Sequence, residues 1–108
     1  MRYGMVIGLQ DHMVEEYRKL HAEVWPEVLA VISANGIRDF TIFLKEPENL
    51  LFGAFDYDGD DYAEAARSID ADPVSQRWYN LTKPCQKPLD TRRSGEWWAF
   101  MEPVFHLD

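Results

Sequence analysis

Three patterns in the sequence predict an α+β fold with the element order β-α-β-β-α-β. A short apolar run, "YGMVIGLQ", precedes a helical stripe that reaches Ile32. Two β-branched and aromatic runs, "RDFTIFLKE" and "LLFGAFDYD", flank the turn residues "PEN". Two capped helical segments then lead to a last aromatic run, "WWAFMEPVFHL". This order is the ferredoxin-like one. Domains of this kind leave one sheet face open, and the expected assembly is a dimeric α+β barrel in which two such sheets pair. The aromatic last strand is the candidate for that pairing.

The length of 108 residues suits one domain spanning 1–108. With 46% apolar and 28% charged residues the composition is that of a globular protein rather than a disordered one. The net charge of −8 argues against nucleic acid and anionic membranes, both of which need basic patches. A neutral or cationic small molecule is the expected partner. The start "MRYGMVIGLQ" turns polar too soon for a signal peptide, and no long apolar run spans a membrane, so a cytoplasmic location is expected. Cys85 stands alone and reads as an ordinary reduced side chain.

The first strand ends at "QD". Asp11 is placed to cap the helix that follows, and Glu15 and Glu16 suit its first turn. Val14, Tyr17, His21, Val24, Val28 and Ile32 recur at steps of three and four, which is the stripe of a helix with one buried face. Asn35-Gly36 is its stop, and Pro26 predicts a kink or break near Trp25. The "PEN" segment makes the next two strands an antiparallel hairpin. In "GDDYAEAARSIDA" Asp60 or Asp61 is the cap. In "DPVSQRWYNLT" Asp72 caps and Pro73 takes the first helical position. "KPCQKPLDTRRSGE" reads as a loop, and Pro103 puts the final strand at an edge or a bulge.

Chemistry concentrates in the first stripe. Tyr17 and His21 are four residues apart, so they share one helix face with the apolar residues, and Trp25 lies a further four on. An imidazole there can give and take protons near neutral pH. In "SQRWYN", Trp78 and Tyr79 offer flat apolar surfaces with polar edges, which suit a sugar ring. On a strand Trp97 and Trp98 would face opposite sides and serve core or dimer contacts. His12 and His106 read as structural or solvated. No spacing links the histidines as metal ligands, and the chain has no phosphate-binding loop, dinucleotide glycine pattern or serine nucleophile elbow.

Taken together, "EEYRKLHAEVWPE", "NLLFG" and "QRWY" resemble the L-rhamnose mutarotase family. The resemblance covers nearly the whole chain and weakens after about Lys83. It implies a ferredoxin-like homodimer in the cytoplasm that interconverts the α and β anomers of a free 6-deoxy sugar without a metal or other cofactor. By position, it places the catalytic histidine on His21 and substrate contacts on Tyr17, Trp78 and Tyr79. A ligand-contacting tyrosine of the second strand falls on Phe40, which lacks the hydroxyl. The second aromatic of the helical pair is Tyr79 where the family has Trp, and the tail lacks the family's Asn-, Pro- and Ser-rich stretch. These departures bear on the choice between L-rhamnose and L-fucose. The expected reaction opens and recloses the sugar ring, with His21 transferring a proton to the ring oxygen and Tyr17 orienting it or the sugar. A cofactor-free monooxygenase or a non-catalytic ligand-binding dimer could be built on the same fold. The Tyr17–His21 pair and "QRWY" favour the mutarotase.

Overall fold

A computed structural model describes all of residues 1–108. The chain forms strand β1 (Arg2–Leu9), a 3-10 turn (Asp11–Met13), helices α1 (Val14–Ala22) and α2 (Pro26–Ala34), and strands β2 (Ile37–Lys45) and β3 (Leu50–Tyr57). Helices α3 (Tyr62–Ala71) and α4 (Pro73–Thr82), a second 3-10 turn (Lys83–Cys85) and the short strands β4 (Gln86–Lys87) and β5 (Ala99–Met101) complete it. The sheet runs β2-β3-β1, with β4 and β5 both on the free side of β1, and every pairing is antiparallel. This is the ferredoxin-like arrangement with its fourth strand divided in two.

The period-2 pattern divides the sheet faces. In β3, Leu51, Gly53 and Phe55 are buried, while Leu50, Phe52 and Ala54 between them are only partly so. One core cluster joins Ile7, Leu9 and Leu51 to Val14 and Tyr17 of α1 and to Cys85. A second joins Met5, Ile37 and Phe55, with Ile32, Tyr62 and Ile69 packed against it from α2 and α3. The opposite face carries an apolar row. Phe43 lies opposite Phe52, Phe52 opposite Val6, and Val6 opposite Ala99.

Local sequence accounts for most boundaries. Pro26 holds Trp25 extended (φ −58°, ψ 132°), so the expected long helix is broken into two, and Pro26 becomes the first residue of the second. The single stripe is therefore two short ones. Val14 and Tyr17 are buried on α1, and Val28 is buried on α2. Of the two cap candidates for α3, Asp61 is the one that accepts from the Glu64 amide, at 3.1 Å, and Asp72 accepts from the Val74 amide at 2.9 Å, as expected for α4. Asp11 does not cap. Its carboxylate instead accepts from Asn49 Nδ2 at 3.0 Å, tying the 3-10 turn to the β2–β3 turn.

The last strand is shorter than expected. It begins at Ala99, so Trp97 and Trp98 precede it at a bend and do not alternate across the sheet. Both indoles pack on core clusters. Part of the expected loop is β4, where Gln86 pairs with Leu9 and Lys87 with Gly8. A Cβ on Gly8 would lie 2.8 Å from the Lys87 carbonyl oxygen, so the glycine permits this pairing. No helix is long and apolar enough to cross a membrane.

Candidate active site

Helix α1 stands over the ends of β1, β2 and β3 and encloses with them a cavity of about 280 Å³. Its walls are Leu9, Val14, Ala22, Ile42, Leu44 and Leu51, and its polar groups come from Tyr17, Arg18 and His21. Small-molecule clefts have this makeup, apolar walls with a few placed polar groups. Drug-sized ligands occupy about 300–1,000 Å³, so this cavity is of a size for something smaller.

The i, i+4 spacing stacks Tyr17 on His21, with ring centroids 4.0 Å apart and planes 21° apart. His21 Nδ1 lies 3.0 Å from the Tyr17 carbonyl oxygen. A carbonyl can only accept, so Nδ1 carries the hydrogen. In the neutral ring Nε2 then holds the lone pair, and no group of the chain occupies it. Burial pushes the imidazole below its usual pKa, partly opposed by the Tyr17 carbonyl. At neutral pH His21 is therefore an uncharged base with one committed nitrogen and one free one. Burial also pushes the Tyr17 hydroxyl up to about 12, so it stays protonated.

Two tryptophans buttress this pair. Trp78 of α4, 6% exposed, meets the His21 ring edge-to-face at 5.4 Å and meets Trp25 at 5.1 Å. The α1–α2 break is what brings Trp25 there, since its residues leave the helical path just before Pro26. Trp78 does not line the cavity. It backs the catalytic candidate instead.

Tyr79 and Phe40 lie apart from the cavity wall. The Tyr79 hydroxyl donates to Asp70 Oδ1 at 2.7 Å, and Lys83 Nζ sits 5.1 Å from its ring. Burial, followed by that hydrogen bond, pushes the Tyr79 hydroxyl pKa upward. Phe40, at an irregularity of β2 between Arg38 and Thr41, packs edge-to-face on Phe55 at 5.4 Å.

Sequence reasoning missed two polar residues. Arg18 lines the cavity mouth and ion-pairs with Glu15 and Glu46. Its position three residues before His21 on one helix was a usable signal. Gln86 is buried against Tyr17, in a segment that read as loop and carried no signal.

A family model described as L-rhamnose mutarotase matches residues 2–107. The L-rhamnose mutarotase of Jannaschia sp. is 32% identical over 98% of this chain and 97% of its own. Among solved structures, the L-rhamnose mutarotase of Formosa agariphila aligns over 100% of this chain and 99% of its own, with a TM-score of 0.78 at 19% identity. A dimeric ferredoxin-like protein from an uncultured marine organism aligns over 76% of this chain and 80% of its own, with a TM-score of 0.54 at 20% identity.

Proposed function

The chain belongs to the L-rhamnose mutarotase family and is an isomerase acting on carbohydrates, and from that premise we propose that it interconverts the α and β anomers of free L-rhamnose, with His21 as the proton-transferring base. The observation that carries the assignment is the committed Nδ1 and free Nε2 of an uncharged imidazole beside a small cavity. A 6-deoxy sugar suits those walls. Its C5 substituent is a methyl group, which belongs against Ile42, Leu44 and Leu51, while its hydroxyls meet Tyr17, Arg18 and His21. L-fucose has the same methyl group and is the second candidate. Trp78, itself against Trp25, backs the His21 ring, while Tyr79, bonded to Asp70, and Phe40, packed on Phe55, have no part in the proposed chemistry.

The tautomer orders the protons. His21 Nε2 takes the hydrogen of the anomeric hydroxyl, so His21 starts as the base at O1 rather than as the acid at the ring oxygen. The freed electron pair forms the C1=O1 double bond, and the C1–O5 bond breaks. O5 takes the electrons of that bond and a proton from the Tyr17 hydroxyl. The aldehyde turns about C1–C2. O5 then attacks the other face and returns its proton to Tyr17, and His21 returns its own to O1. Nothing is consumed, so one acid and one base suffice. A single positioned acid–base group is worth about 10²–10⁴-fold, which fits a reaction that water already performs.

Proton NMR saturation transfer between the anomeric signals of L-rhamnose and of L-fucose tests this. The expected result is protein-dependent exchange, faster with L-rhamnose. Folded protein with no effect on either sugar would refute the reading. The pH profile adds a check on His21. The base form is the active one and its pKa is lowered from 6.5. The protein-dependent rate should be flat above about pH 6.5 and fall only at more acid pH, as Nε2 takes up a proton.

The assembly we propose is a homodimer, formed by the open sheet face. Phe43 on that face is 59% exposed, and Val104, Phe105 and Leu107 in the last seven residues are 79–91% exposed. A second copy of this surface would cover the Phe43–Phe52–Val6–Ala99 row and the tail together. Light scattering should give twice the chain mass, and Phe43→Asp should shift the population to the monomer. A parent protein that stays monomeric at micromolar concentration would refute this assembly.

A further inference from the structure

Behind Tyr17 a chain of donors and acceptors has only one consistent polarity. The Trp97 indole N–H points at the Gln86 side chain, with Nε1 to Oε1 at 2.7 Å. An indole N–H can only donate, so the amide end facing Trp97 is the carbonyl oxygen. The other end, the NH₂ group, therefore faces Tyr17, with Nε2 to the hydroxyl oxygen at 3.5 Å. An NH₂ group cannot accept. The Tyr17 hydroxyl receives from Gln86, so its own hydrogen is not committed to that amide and is free to be donated elsewhere, and Tyr17 lines the cavity.

The amide has little freedom to turn. Gln86 is 7% exposed and sits on β4, held by pairing with Leu9. Trp97 packs on the first core cluster, and Lys83 Nζ lies 5.1 Å from its ring as well as from that of Tyr79. The Gln86–Tyr17 separation is at the outer limit of a hydrogen bond, so its weight lies in orientation more than in binding strength.

We propose that Gln86 and Trp97 are positioning residues for the anomerisation. The indole N–H fixes which end of the amide meets Tyr17, and the amide in turn keeps the Tyr17 hydroxyl a donor toward the sugar's ring oxygen. This rests on the mutarotase reading of the cavity. Neither residue touches the sugar. Both act through Tyr17.

Gln86→Glu tests it. A carboxylate accepts from both neighbours, so it would hold the Trp97 N–H and also draw the Tyr17 hydrogen onto itself. At pH 7.5 the variant should lose at least about tenfold in kcat with KM changed less than about threefold, the size of one charged hydrogen bond redirected in the transition state. When the introduced carboxyl is protonated it can donate to Tyr17 as the amide does. The ratio of variant to parent rate should therefore climb as pH falls, a change that cancels His21's own titration. A flat ratio would overturn the proposal. Trp97→Phe keeps the ring and removes the N–H, and serves if a charge at position 86 unfolds the chain. It should lower kcat about threefold to tenfold in the parent and have no further effect in the Tyr17→Phe background. Equal losses in both backgrounds would mean that Trp97 acts by packing alone. A parent protein inactive on both sugars would sink the mutarotase reading itself, before any variant is compared.

Discussion

Replacing His21 with alanine should remove nearly all protein-dependent anomer exchange while the chain stays folded. The expected loss is about 10²–10⁴-fold in kcat/KM, the contribution of one placed acid–base group. Half-buried at the end of α1, His21 makes one hydrogen bond, to a backbone carbonyl that also sits within its own helix. Its loss removes ring contacts with Tyr17 and Trp78 but leaves no buried partner unpaired, so circular dichroism should be unchanged and the melting temperature only modestly lower. Saturation transfer on L-rhamnose reads the activity directly. A variant with parental exchange would move the base elsewhere in the cavity, where no other imidazole stands. His21→Gln, with an amide in place of the ring, should be as inactive as alanine, because an amide does not take up a proton in this pH range.

Trp78→Ala should strike stability first. The sequence suggested a stacking surface for sugar, which predicts weaker binding on a sound scaffold. The structure instead buries Trp78 between His21 and Trp25. Emptying a buried tryptophan site costs about 3–5 kcal/mol, out of a total of about 5–15 kcal/mol for a domain of this size. The melting temperature should fall by more than roughly 10 °C. Whatever remains folded should have lost activity in kcat, since the His21 ring is no longer backed. Trp78→Phe keeps much of the packing and should recover most of the melting temperature. A Trp78→Ala protein with an unchanged melting curve and only a raised KM would restore the stacking role.

Where local chemistry decides the structure, the sequence was readable. The Asp60-Asp61 pair, and Asp72 with Pro73, announced α3 and α4 because capping is settled within three residues, although only the structure chose Asp61 over Asp60. The β2–β3 hairpin was visible because alternation and turn residues lie side by side in the chain. Pro26 marked the α1–α2 break, but not its consequence, which is that Trp25 turns onto Trp78. Asp11 looked like a cap, yet a contact with Asn49, far along the chain, claimed its carboxylate. Tyr17 and His21 could be paired because four residues make one helical turn. Gln86 could not be found. Its partners are Tyr17, 69 residues before it, and Trp97, 11 after it, and a two-residue strand has no period to read.

The divided fourth strand has one more consequence. Gln86 and Trp97 stand at the two ends of the segment that leaves the sheet after Lys87 and returns at Ala99, and their hydrogen bond closes its neck like a clasp. With the neck fastened, the residues between are free of the sheet's register. Lengthening such a loop is cheap, about 0.6 kcal/mol for each doubling. An insertion between Lys87 and Ala99 should therefore be tolerated, with Gln86 still held against Tyr17. The loop hangs from the two residues that lie behind Tyr17, so its length is decoupled from the sheet that carries the cavity.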